Sequence, residues 1–322
     1  MNVKSRIKSL VRTSPILYST RLVYTNFRKR FSYNSGDISR DGGGCHLNAS
    51  FEESIHYIND VFHDYKYYGG IDRFHGKVAE VGTGNSCGVG ILFLRDGCDR
   101  VDLIDKYYCN RSTFHESEVI RKLTETNPAL IKANRATDIH NEENINGLSR
   151  HYGPQASAEN FFKENKGYDF IVSRAVLEHV DDPETSLLLM AKALNTNGMM
   201  LHKVDLRDHG MFTPEHADLT FMRFPNWYYA LMTRGSGEPN RILANRYQNI
   251  LDSTDLQYKI LVTRLVGVGD ITPHVKWEEI DQNLRDKSLS IVQKIQKTLA
   301  KDFRYIESKF LAIGGIFIVA KK

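Results

Sequence analysis

Short apolar runs alternate with amphipathic stretches through the middle of this chain of 322 residues. The apolar runs predict buried strands at 78–81, 100–105, 168–173 and 199–204, and the stretches between them place apolar residues at helical spacing. Alternating strands and helices are typical of a parallel sheet with helices on both faces. The sequence therefore predicts an α/β fold, with a Rossmann-like doubly wound sheet.

The pattern changes after residue 210, where aromatic and methionine side chains become frequent. Two further apolar runs, at 259–266 and 311–320, predict strands. We expect a mostly parallel, seven-stranded sheet with an antiparallel final strand at its end. The predicted parts of the chain are a basic, helical N-terminal arm at 1–36 and one domain at 37–322, with a core at 71–210, a cap insertion at about 211–250, and C-terminal strands and a helix at 251–322.

Charge separates the arm from the rest of the chain. Eight basic residues and no acidic residue precede Asp37, whereas the net charge of the whole chain is only +4. Val3, Ile7 and Leu10 recur at helical spacing among these basic residues, and Pro15 is expected to stop that helix. One interpretation is peripheral contact of residues 1–31 with an anionic membrane. The other is a helix packed on its own domain.

Several classes of protein are disfavoured by composition. No apolar run approaches the roughly 20 residues of a membrane span, and the N-terminus lacks the apolar region of a secretory signal. The four cysteines are scattered without a C-x-x-C pair, which favours free thiols in a reducing cytoplasm. No basic stripe extends beyond the arm, so nucleic acid is not an expected partner.

The glycine-rich stretch at 77–90, KVAEVGTGNSCGVG, carries the first chemical signal. Gly82 and Gly84 can adopt positive φ and let a ligand approach the backbone, so the loop suits a nucleotide-like cofactor. Glu80 can meet the ammonium group of a zwitterionic ligand but would repel a dinucleotide pyrophosphate. Asp105, 21 residues beyond Gly84, can accept hydrogen bonds from both hydroxyls of a ribose.

A third motif follows at 168–183, YDFIVSRAVLEHVDDP. Together with the glycine loop and Asp105, it resembles class I S-adenosylmethionine-dependent methyltransferases over about residues 77–205, especially those that act on small molecules and sugars. The resemblance implies S-adenosyl-L-methionine as the cofactor. The cofactor-binding residues that it implies are Glu80, Gly82, Thr83, Gly84, Asp105, Ala158 and Ser173. The alternatives are an NAD(P)-dependent oxidoreductase and a non-catalytic cofactor-binding protein.

Titratable residues are concentrated just after the strand at 199–204. Methylation of oxygen needs an in-line acceptor and benefits from a base, and His209 is our candidate base. Asp205 is expected to orient His209 or bind a substrate hydroxyl, and Arg207 to hold an anionic acceptor. A metal site of Asp205, Asp208 and His209 with Glu215 or His216 is an alternative, but no metal is assigned.

The aromatic segment at 221–232 is predicted to cover the acceptor, with Trp227 and Tyr228 as pocket walls. The polar loop and this cap resemble methyltransferases of sugar and surface-polysaccharide biosynthesis. We therefore expect O-methylation of a sugar, glycan or lipid-linked saccharide in the cytoplasm, with the arm at the inner membrane face. The alternative acceptor is an aromatic or lipid-like small molecule.

Overall fold

The computed structural model describes residues 14–34, 39–41, 49–110, 113–132, 142–212, 218–235 and 237–322. The strands are β1 (Ser39–Asp41), β2 (Gly76–Val81), β3 (Cys98–Asp105), β4 (Tyr108–Asn110), β5 (Leu148–Tyr152), β6 (Tyr168–Arg174), β7 (Leu194–Asp205), β8 (Gln257–Leu265), β9 (Gly269–Val275) and β10 (Ile313–Lys321). The helices are α1 (Pro15–Asn34), α2 (Phe51–Gly69), α3 (Gly88–Asp96), α4 (Thr113–Thr124), α5 (Ala158–Glu164), α6 (Pro183–Ala193), α7 (Asn226–Thr233), α8 (Ala244–Asp252), α9 (Gln282–Gln296), α10 (Lys301–Arg304) and α11 (Ser308–Ala312).

Eight strands form one sheet in the order β5-β3-β2-β6-β7-β10-β8-β9. The first five of these are mutually parallel. β10 runs antiparallel to both of its neighbours, and β9 runs antiparallel to β8. The α/β prediction of a mostly parallel doubly wound sheet with an antiparallel final strand is confirmed.

Three details of the predicted sheet were wrong. β9 is an eighth strand, and β10 lies between β7 and β8 instead of at the end of the sheet, because both of its faces are buried from Ile313 to Ala320. β5 lies partly within the polar stretch at 138–150, whose composition predicts a loop. Only Leu148 in β5 is buried, so this edge strand lacks the apolar pattern of the central strands.

Helices cover both faces of the sheet. Adjacent residues of β6 point to opposite faces, so that Ile171 packs with Leu187 and Tyr247 below α6 and α8, whereas Val172 packs with Phe93 of α3. Local sequence signals fix the helix ends. Ser50 and Glu53 form a capping box at the start of α2, and Asp182 caps α6 with Pro183 at its first position.

The N-terminal arm packs on the cap through helix α1. Ser19 and Asn26 are buried, with a hydrogen bond of 3.0 Å between the hydroxyls of Ser19 and Tyr228 and one of 2.9 Å from Asn26 to the Leu231 carbonyl. Pro15 is the first residue of this helix, where its missing N–H costs nothing. The helix expected before Pro15 lies outside the described residues. Among the described residues, no helix has the length and apolar character needed to cross a membrane.

Candidate active site

A cavity of about 340 Å³ opens where β2, β3 and β6 end. Its walls include Gly82, Asp105 and Ala158 from the set predicted to bind the cofactor. In doubly wound sheets ligands bind beyond the carboxyl ends of the strands, and small-molecule sites enclose about 300–1,000 Å³. Position and volume therefore suit one nucleoside-sized ligand.

The two loop glycines serve different purposes. Both adopt positive φ, at +75° for Gly82 and +60° for Gly84. A Cβ atom on Gly82 would lie 2.1 Å from Cγ2 of Val176, whereas a Cβ atom on Gly84 would meet nothing within 4 Å. Gly82 is thus required by close packing against the segment after β6, and Gly84 by backbone conformation alone.

Asp105 joins the loops that follow β2 and β3. Its carboxylate accepts hydrogen bonds from the backbone N–H of Gly84 at 3.2 Å and of Tyr107 at 2.9 Å. These contacts fix the carboxylate at the cavity wall, where it can also accept hydroxyl donors. The position agrees with the ribose-binding role that the sequence predicts, and that role stays a prediction.

Ser173 does not reach the cavity, so its predicted contact with the cofactor needs correction. It is fully buried within β6, and its hydroxyl lies 2.8 Å from Nδ1 of His202 on β7. Glu80 is buried in β2. The described residues that line the cavity do not include Glu80, Thr83 or Gly84. The chemistry assigned to Glu80 and Thr83 stays a prediction.

Part of the wall comes from residues that the sequence analysis did not select. Lys29 of α1 lies beside Gly237, and its ammonium group forms a 2.9 Å ion pair with Glu238. Lys106 pairs with Asp181 at 2.8 Å across the cavity. Only tertiary contact brings α1 to the cavity, and no local motif around Lys29 indicates it.

The turn at Leu177–His179 follows β6 and contributes His179 to the cavity wall. Glu178 is 1% exposed, and its Oε1 accepts the backbone N–H of Asp205 at 3.1 Å. Burial raises the pKa of Glu178 to about 8 and lowers the pKa of His179 to about 4. Both residues belong to the motif at 168–183, in which the sequence assigned no site role to either.

His209 lies on the loop after β7 and reaches the same turn. Its ring centroid is 4.9 Å from that of His179, and its Nε2 lies 3.7 Å from Oε1 of Glu178 and 3.5 Å from Oδ2 of Asp205. Burial is the main cause that lowers the pKa of His209. The imidazole is therefore neutral near pH 7 and able to accept a proton.

Arg207 holds Asp205 in place. Its Nε donates to Oδ1 of Asp205 at 2.8 Å, and its Nη1 lies 3.6 Å from Asp218. Burial opposes ionisation of Asp205, but Arg207 and His209 together lower its pKa. Arg207 is absent from the cavity wall, and with two carboxylates beside it the guanidinium is poorly placed for the predicted contact with an anionic acceptor.

Trp227 and Tyr228 are absent from the wall of this cavity, and their predicted role as walls of an acceptor pocket stays a prediction. Trp227 is 68% exposed, and the Tyr228 hydroxyl contacts Ser19 of α1. The aromatic side chains of the cap instead form a third apolar cluster with α1 and α9. Spacing alone could not reveal that their partner is the N-terminal helix.

Backbone strain is found at both loops that form this end of the site. Ala175, directly after β6, has φ of +54°, and His209, after β7, has φ of +53°. Non-glycine residues rarely adopt this conformation, and they tend to do so at functional sites. Ala175 lies on the cavity wall and His209 contacts His179 on it.

A family model described as a methyltransferase domain matches residues 56–257, which is more than half of the chain. The chain belongs to this methyltransferase family. It is an S-adenosylmethionine-dependent methyltransferase, as the resemblance carried by the glycine loop, Asp105 and the motif at 168–183 implied. The cavity agrees with this cofactor, because a carboxylate and a bare glycine backbone meet there.

Solved structures that resemble this methyltransferase include a putative sarcosine dimethylglycine methyltransferase from Galdieria sulphuraria, with 12% identity, a TM-score of 0.42, and coverage of 92% of this chain and 96% of that one. An S-adenosylmethionine-dependent methyltransferase from Archaeoglobus fulgidus has 13% identity, a TM-score of 0.40, and coverage of 86% and 97%. Phosphoethanolamine N-methyltransferase 2 from Haemonchus contortus, solved with S-adenosylmethionine, has 12% identity, a TM-score of 0.41, and coverage of 86% and 58%. No curated protein matches the sequence. Structural similarity at this level of identity does not identify the methyl acceptor of this chain.

Proposed function

We propose that this methyltransferase transfers the methyl group to an oxygen atom of a sugar, glycan or lipid-linked saccharide. The observation that carries the proposal is His209, which is neutral, partly exposed, and 3.5 Å from the Asp205 carboxylate beside the cofactor cavity. A base held by a carboxylate suits an acceptor whose hydroxyl must lose a proton during attack.

The chain's own residues then have separate tasks. S-adenosylmethionine supplies an electrophilic methyl group on sulfonium sulfur. The acceptor oxygen forms the new bond to that methyl carbon as the carbon–sulfur bond breaks, and His209 takes the hydroxyl proton. Asp205 orients the imidazole and stabilises its charged form, and Arg207 holds Asp205. The remaining rate enhancement comes from holding the acceptor oxygen in line with the methyl–sulfur bond at the end of β7.

The outer face of α1 supports a lipid-linked acceptor. Apolar side chains stay exposed along it, and those above half exposure are Ile16, Leu17, Tyr24, Phe27 and Phe31. Arg21, Arg28 and Arg30 lie on the same helix, which has no acidic residue. Apolar and basic side chains together suit an anionic membrane surface. We therefore place the enzyme at the cytoplasmic face of a membrane, with the cavity close to lipid-borne substrates.

The catalytic proposal is tested with methyl-labelled S-adenosylmethionine and a panel of sugar phosphates, lipid-linked saccharides, phenols and amines. We expect label on a saccharide hydroxyl, and H209A should lower kcat by about 10²–10⁴-fold, the range for loss of a general base. The control is H56A, since His56 is an exposed histidine of α2. Labelling of amines alone, or unchanged kcat in H209A, would contradict the proposal.

The membrane proposal is tested by flotation with vesicles of phosphatidylcholine alone or mixed with phosphatidylglycerol. We expect the full chain to float only with the anionic vesicles, and F27S/F31S to float less. Tyr305 is 80% exposed in the C-terminal part of the chain, so Y305S is the control for loss of an exposed aromatic side chain. If F27S/F31S floated as well as the wild type, the exposed aromatic side chains of α1 would not contribute to vesicle binding.

A further inference from the structure

Glu178, His179 and His209 form a compact group of metal-ligating side chains at the acceptor end of the cavity. One ligand atom from each lies within 4.8 Å of the other two. Two residues come from the turn after β6 and one from the loop after β7. The alternative metal site in the sequence is a different set, Asp205, Asp208 and His209 with Glu215 or His216. Glu215 and His216 lie outside the described residues.

The surrounding fold holds the group together. Asn240 donates from Nδ2 to the carbonyls of Leu177 at 2.8 Å and Val180 at 3.2 Å, and its backbone N–H donates to the Glu178 carbonyl. The turn that carries Glu178 and His179 is therefore fixed from both sides. His209 reaches this turn by adopting a φ of +53°. A strained backbone that brings an imidazole toward a buried carboxylate is a feature of functional sites.

Two atoms of the group are buried with no hydrogen-bond partner in the described part of the chain. They are Oε2 of Glu178 and Nδ1 of His179. An unpartnered buried polar atom costs about 1–3 kcal/mol, and most such atoms in folded proteins have a partner. Unpartnered atoms on two neighbouring residues of the group point to a bound species that carboxylate and imidazole side chains both bind. A divalent cation is such a species.

We propose that Glu178, His179 and His209 bind one divalent transition-metal ion, with Zn²⁺ the best match for two imidazoles and one carboxylate. Such ligands lie about 2.0–2.2 Å from zinc, so small side-chain rotations would bring the group to bonding distance. Three protein ligands leave one position open, as in catalytic zinc sites. Because His179 lies on the cavity wall, an ion held by it would be reached from the cavity.

The inference rests on the proposed transfer to oxygen and gives the group a task in it. The acceptor hydroxyl binds the open position of the ion, which lowers its pKa. The oxygen then releases its proton to water and forms the bond to the methyl carbon, while the carbon–sulfur bond breaks and S-adenosylhomocysteine leaves. With the ion bound, His209 acts as a ligand and the ion activates the hydroxyl, whereas the role of His209 as base belongs to the metal-free enzyme; Asp205 orients the imidazole in both cases.

The test uses the full chain after removal of metal by chelator and dialysis. Calorimetric titration with Zn²⁺ should give one site per chain with Kd of about 1 µM or lower. E178Q and H209A should each weaken it at least tenfold, whereas H56A should leave it unchanged. Co²⁺ provides a second readout, since its visible absorption should appear in the wild type and be lost in both variants. Circular dichroism and S-adenosylmethionine affinity identify any variant that fails to fold, and H179A then replaces it.

Separate outcomes distinguish the inference from the proposed function. The metal site would be overturned by the absence of a one-to-one Zn²⁺ site or by a preference for Mg²⁺. It would also be overturned if H209A and E178Q bound Zn²⁺ as tightly as the wild type. A site that meets these expectations in an enzyme that methylates no saccharide would leave the metal standing and remove the O-methylation proposal. Full saccharide methylation by the metal-stripped enzyme would keep that proposal and overturn the metal's catalytic task.

Discussion

The two ends of the cavity are built in different ways. At the donor end, the loop after β2 and the end of β3 lie within residues 76–105, and their contacts are mostly between backbone and carboxylate. At the end where we propose that the acceptor binds, the turn after β6, the loop after β7 and Asn240 come from distant parts of the chain. The donor end depends on local conformation, and the acceptor end depends on long-range packing.

The largest expected effect is at Gly82. G82V places a branched side chain where φ is +75° and where even Cβ would lie 2.1 Å from Val176. Left-handed strain of roughly 1–2 kcal/mol and overpacking of roughly 1–3 kcal/mol should weaken S-adenosylmethionine binding at least about 30-fold. Calorimetry measures this loss. G84A carries similar strain without a clash, and an equal loss in both variants would contradict the packing role of Gly82.

D105A should have the next largest effect. Loss of a carboxylate that holds two loops and is positioned for ribose hydroxyls should lower S-adenosylmethionine affinity by about 10–100-fold. D99A, at the exposed start of the same strand, is the matched control. Affinity in D105A that matches D99A would remove Asp105 from the cofactor site.

Asn240 tests whether the acceptor end is separable from the donor end. N240A removes the two side-chain bonds that hold the Leu177–His179 turn. We expect kcat to fall about tenfold because misplaced groups lose catalytic geometry, while S-adenosylmethionine affinity changes less than about threefold. Steady-state kinetics and calorimetry measure the two quantities. An equal loss in both would mean that the two ends of the cavity are one unit.

His202, on β7 between the two ends, makes stability depend on pH. Burial lowers its pKa to about 3, so the folded chain keeps it neutral. An unfolded histidine takes up a proton below about pH 6.5, so stability should fall as pH decreases, by about 2 kcal/mol from pH 7 to pH 5. Urea unfolding of the wild type and of H202N at pH 7 and pH 5 measures this contribution of His202 to the free energy of unfolding. The same pH dependence in both proteins would contradict it.

The smallest expected effect is S173A. Loss of the hydroxyl that pairs with His202 should lower the free energy of unfolding by about 1 kcal/mol. S-adenosylmethionine affinity should stay unchanged, since Ser173 does not line the cavity. Urea unfolding and calorimetry measure the two values. A clear loss of affinity without loss of stability would restore Ser173 to the cofactor site.

The sequence by itself determined the layered fold and the cofactor. Glycines that need positive φ, an acid at the end of β3 and the strand pattern act within about 30 residues, where local conformation dictates structure. Local pattern failed at β5, whose edge position removes the apolar signal, and at Ser173, whose partner is on another strand.

Only the tertiary structure decided what faces the donor. It brought Lys29 from α1 to the cavity wall, turned Tyr228 toward α1, and placed His209 beside Glu178 and His179. None of these contacts is encoded by spacing, because each joins segments that are far apart along the chain and meet only when the sheet and the cap pack. The methyl donor was therefore readable from the sequence, and the acceptor site was not.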